Sequence, residues 1–238
     1  MTGRVLNVGP ASMAGLVWLA RVGPTPLDAW ATAMRWSDRT ARSHAARLER
    51  DELLRRCRMT VGDGALVWAT GRGVRRTGVD APRPDPPSAT LWAHWAACGW
   101  VAAWLTVRDR DWLGQQELLN LDEWSDTVAW SERDRSRRVT HRPDLVVMPP
   151  ASADSEQRRR VPVEVELTRK SDPRLTAIMQ HYRRWRQTGH ATGLLYVVDS
   201  DAMADRIADA AARAGVGVGV QRLDAIVEQT RDATTARG

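Results

Sequence analysis

The chain has 238 residues, with 35 Lys and Arg against 29 Asp and Glu, a formal net charge of +6 and a hydrophobic fraction of 43%. That length holds one large domain or two small ones, and the basic excess favours polyanions such as nucleic acid as partners without specifying a fold. Cys57 and Cys98 are the only cysteines, which excludes a disulfide framework and a Cys-based metal site; with no apolar run of spanning length and no signal-peptide layout in residues 1–20, a cytoplasmic protein without a membrane partner is expected.

In chain order, residues 11–21 predict a helix, with an apolar stripe at Met13, Leu16, Val17 and Leu19 that Gly23-Pro24 ends. Thr25 reads as the N-cap of a second helix, with Pro26 at its first position and an end near Met34. Ser37 caps a third, residues 38–54, with Ala41, Ala45, Leu48 and Leu53 on its apolar face and Arg39, Arg42, Arg47 and Arg50 elsewhere. Two apolar runs flank Gly62-Asp63-Gly64, a strong hairpin signal. Thr70-Gly71-Arg72-Gly73-Val74 closes this unit with further arginine.

Residues 79–88 hold four prolines, a stiff linker that marks a domain boundary. The expected division is 1–79, a linker at 80–89, and 90–238. Residues 90–107 predict a helix with Trp92, Trp95, Trp100 and Trp104, too many for one stripe, so it is buried on several sides. His94 lies among them, as a packed or surface histidine or as part of a site. Residues 112–119 read as a strand with Glu117 within or just after it, and 120–138 as polar and irregular. Strands follow at 145–148 and from Val161, around a polar loop ending in Arg158-Arg159-Arg160, either solvated or in contact with phosphate. Ser171 or Asp172 caps a helix to about Gln187, whose apolar face is Leu175, Ile178, Met179, Tyr182 and Trp185. Buried strands at 194–198 and 216–220, an Ala-rich helix at 201–214 and a short helix at 222–230 complete an α+β unit with a helix-covered mixed sheet.

The stretch with the most chemistry runs from His141 to Lys170. Alternation puts Val161, Val163 and Val165 on one strand face and Glu164 and Glu166 on the other. Two carboxylates on one face of an apolar strand repel unless a cation or basic group lies between them. Lys170 is the only lysine in a chain otherwise built with arginine. A GC-rich genome accounts for that bias, yet a lysine beside paired acids can do what arginine, which cannot be deprotonated, does not. A structural acid pair bridged to Arg142 or Arg169 is the plainer alternative.

The order of three helices and a hairpin resembles a winged helix-turn-helix DNA-binding domain. That resemblance implies a recognition helix presenting Arg39 and Arg42 to base edges, with Arg35 ahead of it. Ser37, Thr40 and Ser43 are candidates for phosphate contact, and Arg55, Arg56, Arg58 and Arg72 for wing contacts to the backbone; use of the unit for protein contacts or dimerisation stays open. Pro143-Asp144 followed by Glu164-Val165-Glu166, then helix and strand, resembles the PD-(D/E)xK restriction-endonuclease-like fold. Together with His94, Glu117 and the helix carrying Leu175 to Tyr182, the chain resembles the replication-relaxation family of plasmid and mobile-element proteins. The resemblance implies Mg2+ (or Mn2+) held by Asp144 and Glu164, with Glu117 as a third ligand, and Tyr182 and Arg183 helping to hold DNA. Glu166 stands where that pattern usually has lysine, so Lys170 is the candidate to replace it, with Glu166 as an added ligand or base. A metal-dependent endonuclease or nickase on double-stranded DNA is expected. Non-catalytic replication initiation or transcriptional regulation with a degenerate site is the alternative, and ligand sensing a third. A homodimer is expected by analogy with other winged-helix proteins.

Overall fold

The computed structural model describes residues 8–58, 64–82, 86, 88–132, 135–148 and 160–235. The hairpin turn at Gly62-Asp63 and the arginines Arg158 and Arg159 lie outside the described residues.

The first unit runs α1 (Pro10–Val22), β1 (Thr25–Pro26), α2 (Leu27–Ala33), α3 (Asp38–Arg50), β2 (Leu54–Arg58), β3 (Ala65–Ala69) and α4 (Gly71–Thr77). Its three strands pair in the order β1-β3-β2, all antiparallel. The expected three helices and antiparallel strand pair are present, with β1 added ahead of α2 and α4 added after β3. Ser37 caps α3 by accepting from the Thr40 amide at 3.2 Å, and Ala41, Ala45 and Leu48 form the buried stripe. Three local expectations fail for identifiable reasons. Thr25 pairs with Val67 in β1 instead of capping α2. The third helix stops at Arg50 because Glu52 adopts a left-handed φ of 58°, which turns the chain into β2. The Gly-rich closing segment is itself helical, since the Thr70 hydroxyl accepts from Gly73 N at 3.0 Å and caps α4.

The second unit runs α5 (Trp92–Val107), β4 (Asp111–Leu113), α6 (Gln115–Leu118), β5 (Asp126–Glu132), β6 (Arg135–His141), β7 (Leu145–Met148), β8 (Val161–Glu166), α7 (Asp172–Gln187), β9 (Leu195–Val198), α8 (Asp201–Ala214), β10 (Gly219–Arg222) and α9 (Leu223–Thr235). Five strands form a mixed sheet in the order β10-β9-β8-β7-β4. The β4–β7 and β7–β8 pairs are antiparallel, and the β8–β9 and β9–β10 pairs parallel. The chain is therefore an α+β protein with a helix-covered mixed sheet.

The segment read as irregular is a two-stranded ribbon, β5 with β6. Along β6 only His141 is buried; a strand wet on both faces has no apolar alternation to betray it. The strand expected at 216–220 lies two to three residues later, as an edge with alternating partial exposure. The last helix extends to Thr235, with Ile226 and Thr230 fully buried.

The Pro-rich stretch separates the units in sequence but not in the core. One buried cluster joins Leu16, Leu19, Trp30 and Val67 of the first unit to Val101, Leu105, Val163 and Val197 of the second. The seam is α5, which touches α2 and β1 on one side, β4, β7 and β8 on another, and α9 on a third. Its small residues permit this. A Cβ added to Gly99 would lie 2.0 Å from the Thr25 hydroxyl, so β1 and α5 meet where only glycine fits. Gly99→Ala is expected to lower stability by about 1–3 kcal/mol through overpacking. Urea denaturation checks this; an unchanged midpoint would mean that the seam yields freely.

Candidate active site

The carboxyl end of β8 opens into a cleft of about 470 Å3 between the start of α5 and the start of α7, lined by His94, His141, Asp144, Glu164, Glu166 and Lys170 among others. Ligand sites of open α/β sheets commonly lie beyond the carboxyl ends of strands. Alternation sets the acids apart as the sequence predicts. Val163 and Val165 enter the core shared with α5, while Glu164 and Glu166 turn to the opposite face, with Tyr196 and Val198 of β9 alongside.

Asp144 sits one residue before β7, where the β7–β8 ladder runs out. Its amide donates to Val163 O at 3.0 Å, and its Oδ2 accepts from the Val165 amide at 2.8 Å. The carboxylate thus replaces the missing strand partner and leaves Oδ1 facing His94 Nε2 at 3.0 Å. Glu164 is 4% exposed and Glu166 1%, so both need compensation. Glu164 Oε1 accepts from the Tyr182 hydroxyl and lies 3.1 Å from His141 Nε2, which is 3.2 Å from the same hydroxyl. The Glu166 carboxylate is paired with the Lys170 ammonium.

These contacts divide the acids chemically. Burial works against ionising Glu164, but the charge of His141, aided by Lys170 and Tyr182, outweighs it and holds the group below its ordinary value. Glu166 goes the other way: burial raises it, Lys170 opposes only in part, and the charges of Glu164 and Asp144 push it further up. Of the two glutamates, Glu166 takes a proton more readily. His94 and His141 are both raised; burial lowers each, and Asp144 and Glu164 respectively more than compensate.

Behind His141, His181 is fully buried and pushed down to about 4, by burial first and the charge of His141 second, although its Nδ1 lies 3.0 Å from Asp126. An unfolded chain protonates this residue near 6.5, the native one only near 4. Its contribution to stability is therefore complete above pH 6.5 and is lost as pH falls toward 4, by about 2–3 kcal/mol. His94 and His141, being raised, act in the opposite sense. His181→Gln is expected to remove the acid-side loss, seen by comparing urea midpoints at pH 7 and 4.5 with those of the parent chain.

Asp144, Glu164, Glu166 and Lys170 therefore share one cleft. Glu117 does not. It follows β4 in α6, where its carboxylate accepts from Gly114 N at 2.8 Å and Arg21 Nε at 2.9 Å, outside the cleft lining. Its role is to fix the start of α6 to α1, so the expected third carboxylate ligand is corrected. Tyr182 is buried against Glu164 and is not presented to a macromolecule, whereas Arg183 is exposed. Among the described residues, the set of three donors lying within 4.8 Å of one another is His94, Cys98 and Asp144. The count of two separate cysteines argues against a Cys-based metal site, yet the fold brings Cys98 into this donor set. The signal that reveals it is the spacing of His94 and Cys98, four residues apart on a helix and so on one face.

In the first unit, Arg39, Arg42 and Ser43 are exposed on α3, and Thr40 is half-buried with its hydroxyl 2.9 Å from that of Ser37. Arg35 takes a left-handed φ of 55° in the turn before α3, with its guanidinium 3.7 Å from Asp109. Arg55, Arg56 and Arg58 are exposed on β2, and Arg56 is paired with Glu49 at 2.8 Å. Arg72 belongs to α4 and not to the wing, and is bonded to Glu52 at 3.1 Å.

The fold defines an α+β chain whose mixed sheet carries an acidic cleft with basic neighbours. No family model and no curated protein matches the chain. Among solved structures, the crystal structure of protein VC1899 from Vibrio cholerae is similar at 10% sequence identity and a TM-score of 0.35, over 97% of this chain; the chain spans 57% of the length of that protein. No helix among the described residues is long and apolar enough to cross a membrane.

Proposed function

We propose that this protein is a divalent-metal-dependent DNA endonuclease or nickase, directed to double-stranded DNA by its N-terminal unit. The observation that carries the reading is the convergence of Asp144, Glu164, Glu166 and the sole lysine in one cleft whose lining also includes Arg142, Arg169 and Arg174. Cations around an acidic centre suit a phosphodiester, because they attract the anionic backbone while the acids are left to hold a cation.

The donor set fits a hard cation. Asp144 and Glu164 present carboxylate oxygens to the same cleft, and these two would hold Mg2+ or Mn2+. The bound cation would neutralise charge at the scissile phosphate and lower the pKa of a bound water. The residues contribute the rest. His141 and Tyr182 keep Glu164 ionised and fix its orientation. Glu166, raised by burial, is the better placed of the two glutamates to take up a proton. Lys170 reaches back along the strand end to Glu166 and supplies the positive charge that lysine gives elsewhere in the PD-(D/E)xK pattern. The resemblance to the replication-relaxation family supports a role in replication or mobilisation of an extrachromosomal element.

In the first unit, the exposed arginines of α3 favour a DNA duplex. Arg39→Ala and Arg42→Ala are each expected to weaken binding. If the contact is to phosphate, each lowers the slope of log K against log salt by about 1 and weakens all sequences alike; if it is to a base edge, each costs about 1–3 kcal/mol and relaxes specificity at one position. Fluorescence anisotropy at several salt concentrations separates the two. An unchanged affinity for both variants would turn attention from α3.

A second reading, DNA binding without cleavage, is favoured by one observation: the Lys170 ammonium is already engaged by Glu166. The deciding experiment incubates supercoiled plasmid with the purified chain and Mg2+ or Mn2+. Nicked or linear product is expected. Binding without cleavage on any DNA topology or with any divalent metal would leave the second reading.

A further inference from the structure

We infer that His94, Cys98 and Asp144 form a site for a borderline-soft divalent cation of the Zn2+ or Co2+ class, at the rim of the same cleft. The inference goes beyond the proposed function: the site shares Asp144 with the Mg2+ or Mn2+ pair proposed there but takes a different metal class, and its binding is measurable without any activity.

The site is assembled from two elements. His94 and Cys98 lie one helical turn apart on α5, and Asp144 is brought to them from the opposite side by the end of the β7–β8 ladder. One nitrogen serves both neighbours: His94 Nε2 lies 3.0 Å from Asp144 Oδ1 and 3.6 Å from Cys98 Sγ. All three donor atoms lie within 4.8 Å of one another. A tetrahedral ion with Zn–N of about 2.0–2.1 Å and Zn–S of about 2.3 Å separates its nitrogen and sulfur by roughly 3.6 Å, the spacing found. The nitrogen–oxygen pair needs to open by only a few tenths of an ångström from its hydrogen-bonded distance. A cation taking the place of the Nε2 proton would meet the His94 nitrogen and Cys98 sulfur at their present spacing, with Asp144 closing onto it from within 4.8 Å.

The surroundings match an open site. His94 and Asp144 line the cleft while Cys98 is 1% exposed behind them, so three protein donors close the back and the fourth position faces the space where a substrate would lie. Three ligands with one open position is the catalytic arrangement for zinc. Ligand softness gives the selectivity. Mg2+ prefers oxygen, whereas a thiolate and an imidazole favour later transition ions. Without a metal the Cys98 thiol is held protonated, chiefly by burial; metal binding releases that proton. Asp144 Oδ2 stays with the Val165 amide, so only Oδ1 is asked to ligate. Glu164, whose Oε1 is held by His141 and Tyr182, is not among these three donors.

The test titrates the full chain, stripped of metal, with Co2+ and reads its spectrum. One equivalent is expected to give tetrahedral d–d bands and a near-ultraviolet sulfur-to-cobalt charge-transfer band. Cys98→Ser is expected to abolish the charge-transfer band, and Cys57→Ser to keep it. His94→Ala is expected to weaken binding by more than the roughly 10–100-fold typical of losing a second-shell partner. Glu164→Gln is expected to leave Co2+ affinity within about threefold. Far-ultraviolet circular dichroism checks that each variant folds; if Cys98→Ser does not, Cys98→Ala serves. No charge-transfer band in the parent chain, a band that survives loss of Cys98, or binding lost in Glu164→Gln while persisting in His94→Ala would overturn the inference. The two readings fail separately. Cobalt–thiolate binding with intact plasmid sustains this site and defeats the nuclease. Mg2+-dependent cutting with no thiolate band does the reverse.

Discussion

Asp144→Asn and Glu164→Gln are each expected to lower metal-dependent DNA cleavage by about 10^2–10^3-fold or more, with DNA affinity unchanged within about threefold. Both substitutions keep volume and hydrogen-bonding shape while removing a negative charge. At position 144 an amide oxygen still accepts from Val165 N, the bond that the carboxylate makes at 2.8 Å, so the strand end is preserved and the loss falls on cation binding. At position 164 the Tyr182 hydroxyl retains an acceptor, but His141 loses the carboxylate that raises its pKa, so its proton leaves at lower pH. The measurement is initial rate on supercoiled plasmid beside anisotropy on the same duplex. Cleavage that survives both substitutions would show that the chemistry is elsewhere. If affinity falls with the rate, the two acids act through folding or binding, and the proposed division of labour between units is wrong.

Lys170→Met is expected to cost about 3 kcal/mol at pH 8, at the lower end of the range for breaking a buried ion pair by removing one partner. Glu166 is 1% exposed and would lose its counter-charge. Its pKa is already raised, chiefly by burial, so without Lys170 it rises further and the group can escape the penalty by taking a proton. The cost should therefore shrink as pH falls through that raised value and be smaller at pH 5 than at pH 8. Glu166→Gln combined with Lys170→Met should recover most of the stability, since no charge is left to strand. Urea denaturation of the single and double variants at both pH values tests this. Equal costs at pH 5 and 8, or no recovery in the double variant, would mean that the lysine acts through packing of its stem.

How much of this was legible before folding depended on the period of each signal. The valine–glutamate alternation of β8 needed only the two-residue repeat of a strand, and it placed Glu164 and Glu166 on one face correctly. The third helix was equally plain, because Ser37 and the spacing of Ala41, Ala45 and Leu48 are local features. Strand β6 of the β5–β6 ribbon was not, since it is wet on both faces along nearly its whole length and carries no apolar period. The resemblance gives Glu117 a ligand role, but its carboxylate is taken by the Arg21 side chain, 96 residues away, and by the Gly114 backbone, and no local pattern shows the first of these.

The sequence by itself determined the start of α3, the two faces of β8, the α+β class and the lone lysine four residues beyond the second acid. Those follow from backbone sterics and side-chain periodicity, which act over one or two turns of chain. The tertiary structure alone decided the meetings across chain distance. It joined the two units through α5, gave Glu164 the two neighbours that keep it ionised, turned Lys170 back onto Glu166, and set Asp144 against His94 and Cys98. Each joins segments 4 to 88 residues or more apart, and all but the shortest depend on how strands end and helices pack. Local propensity cannot encode such contacts, and the chemistry of this cleft is made of them.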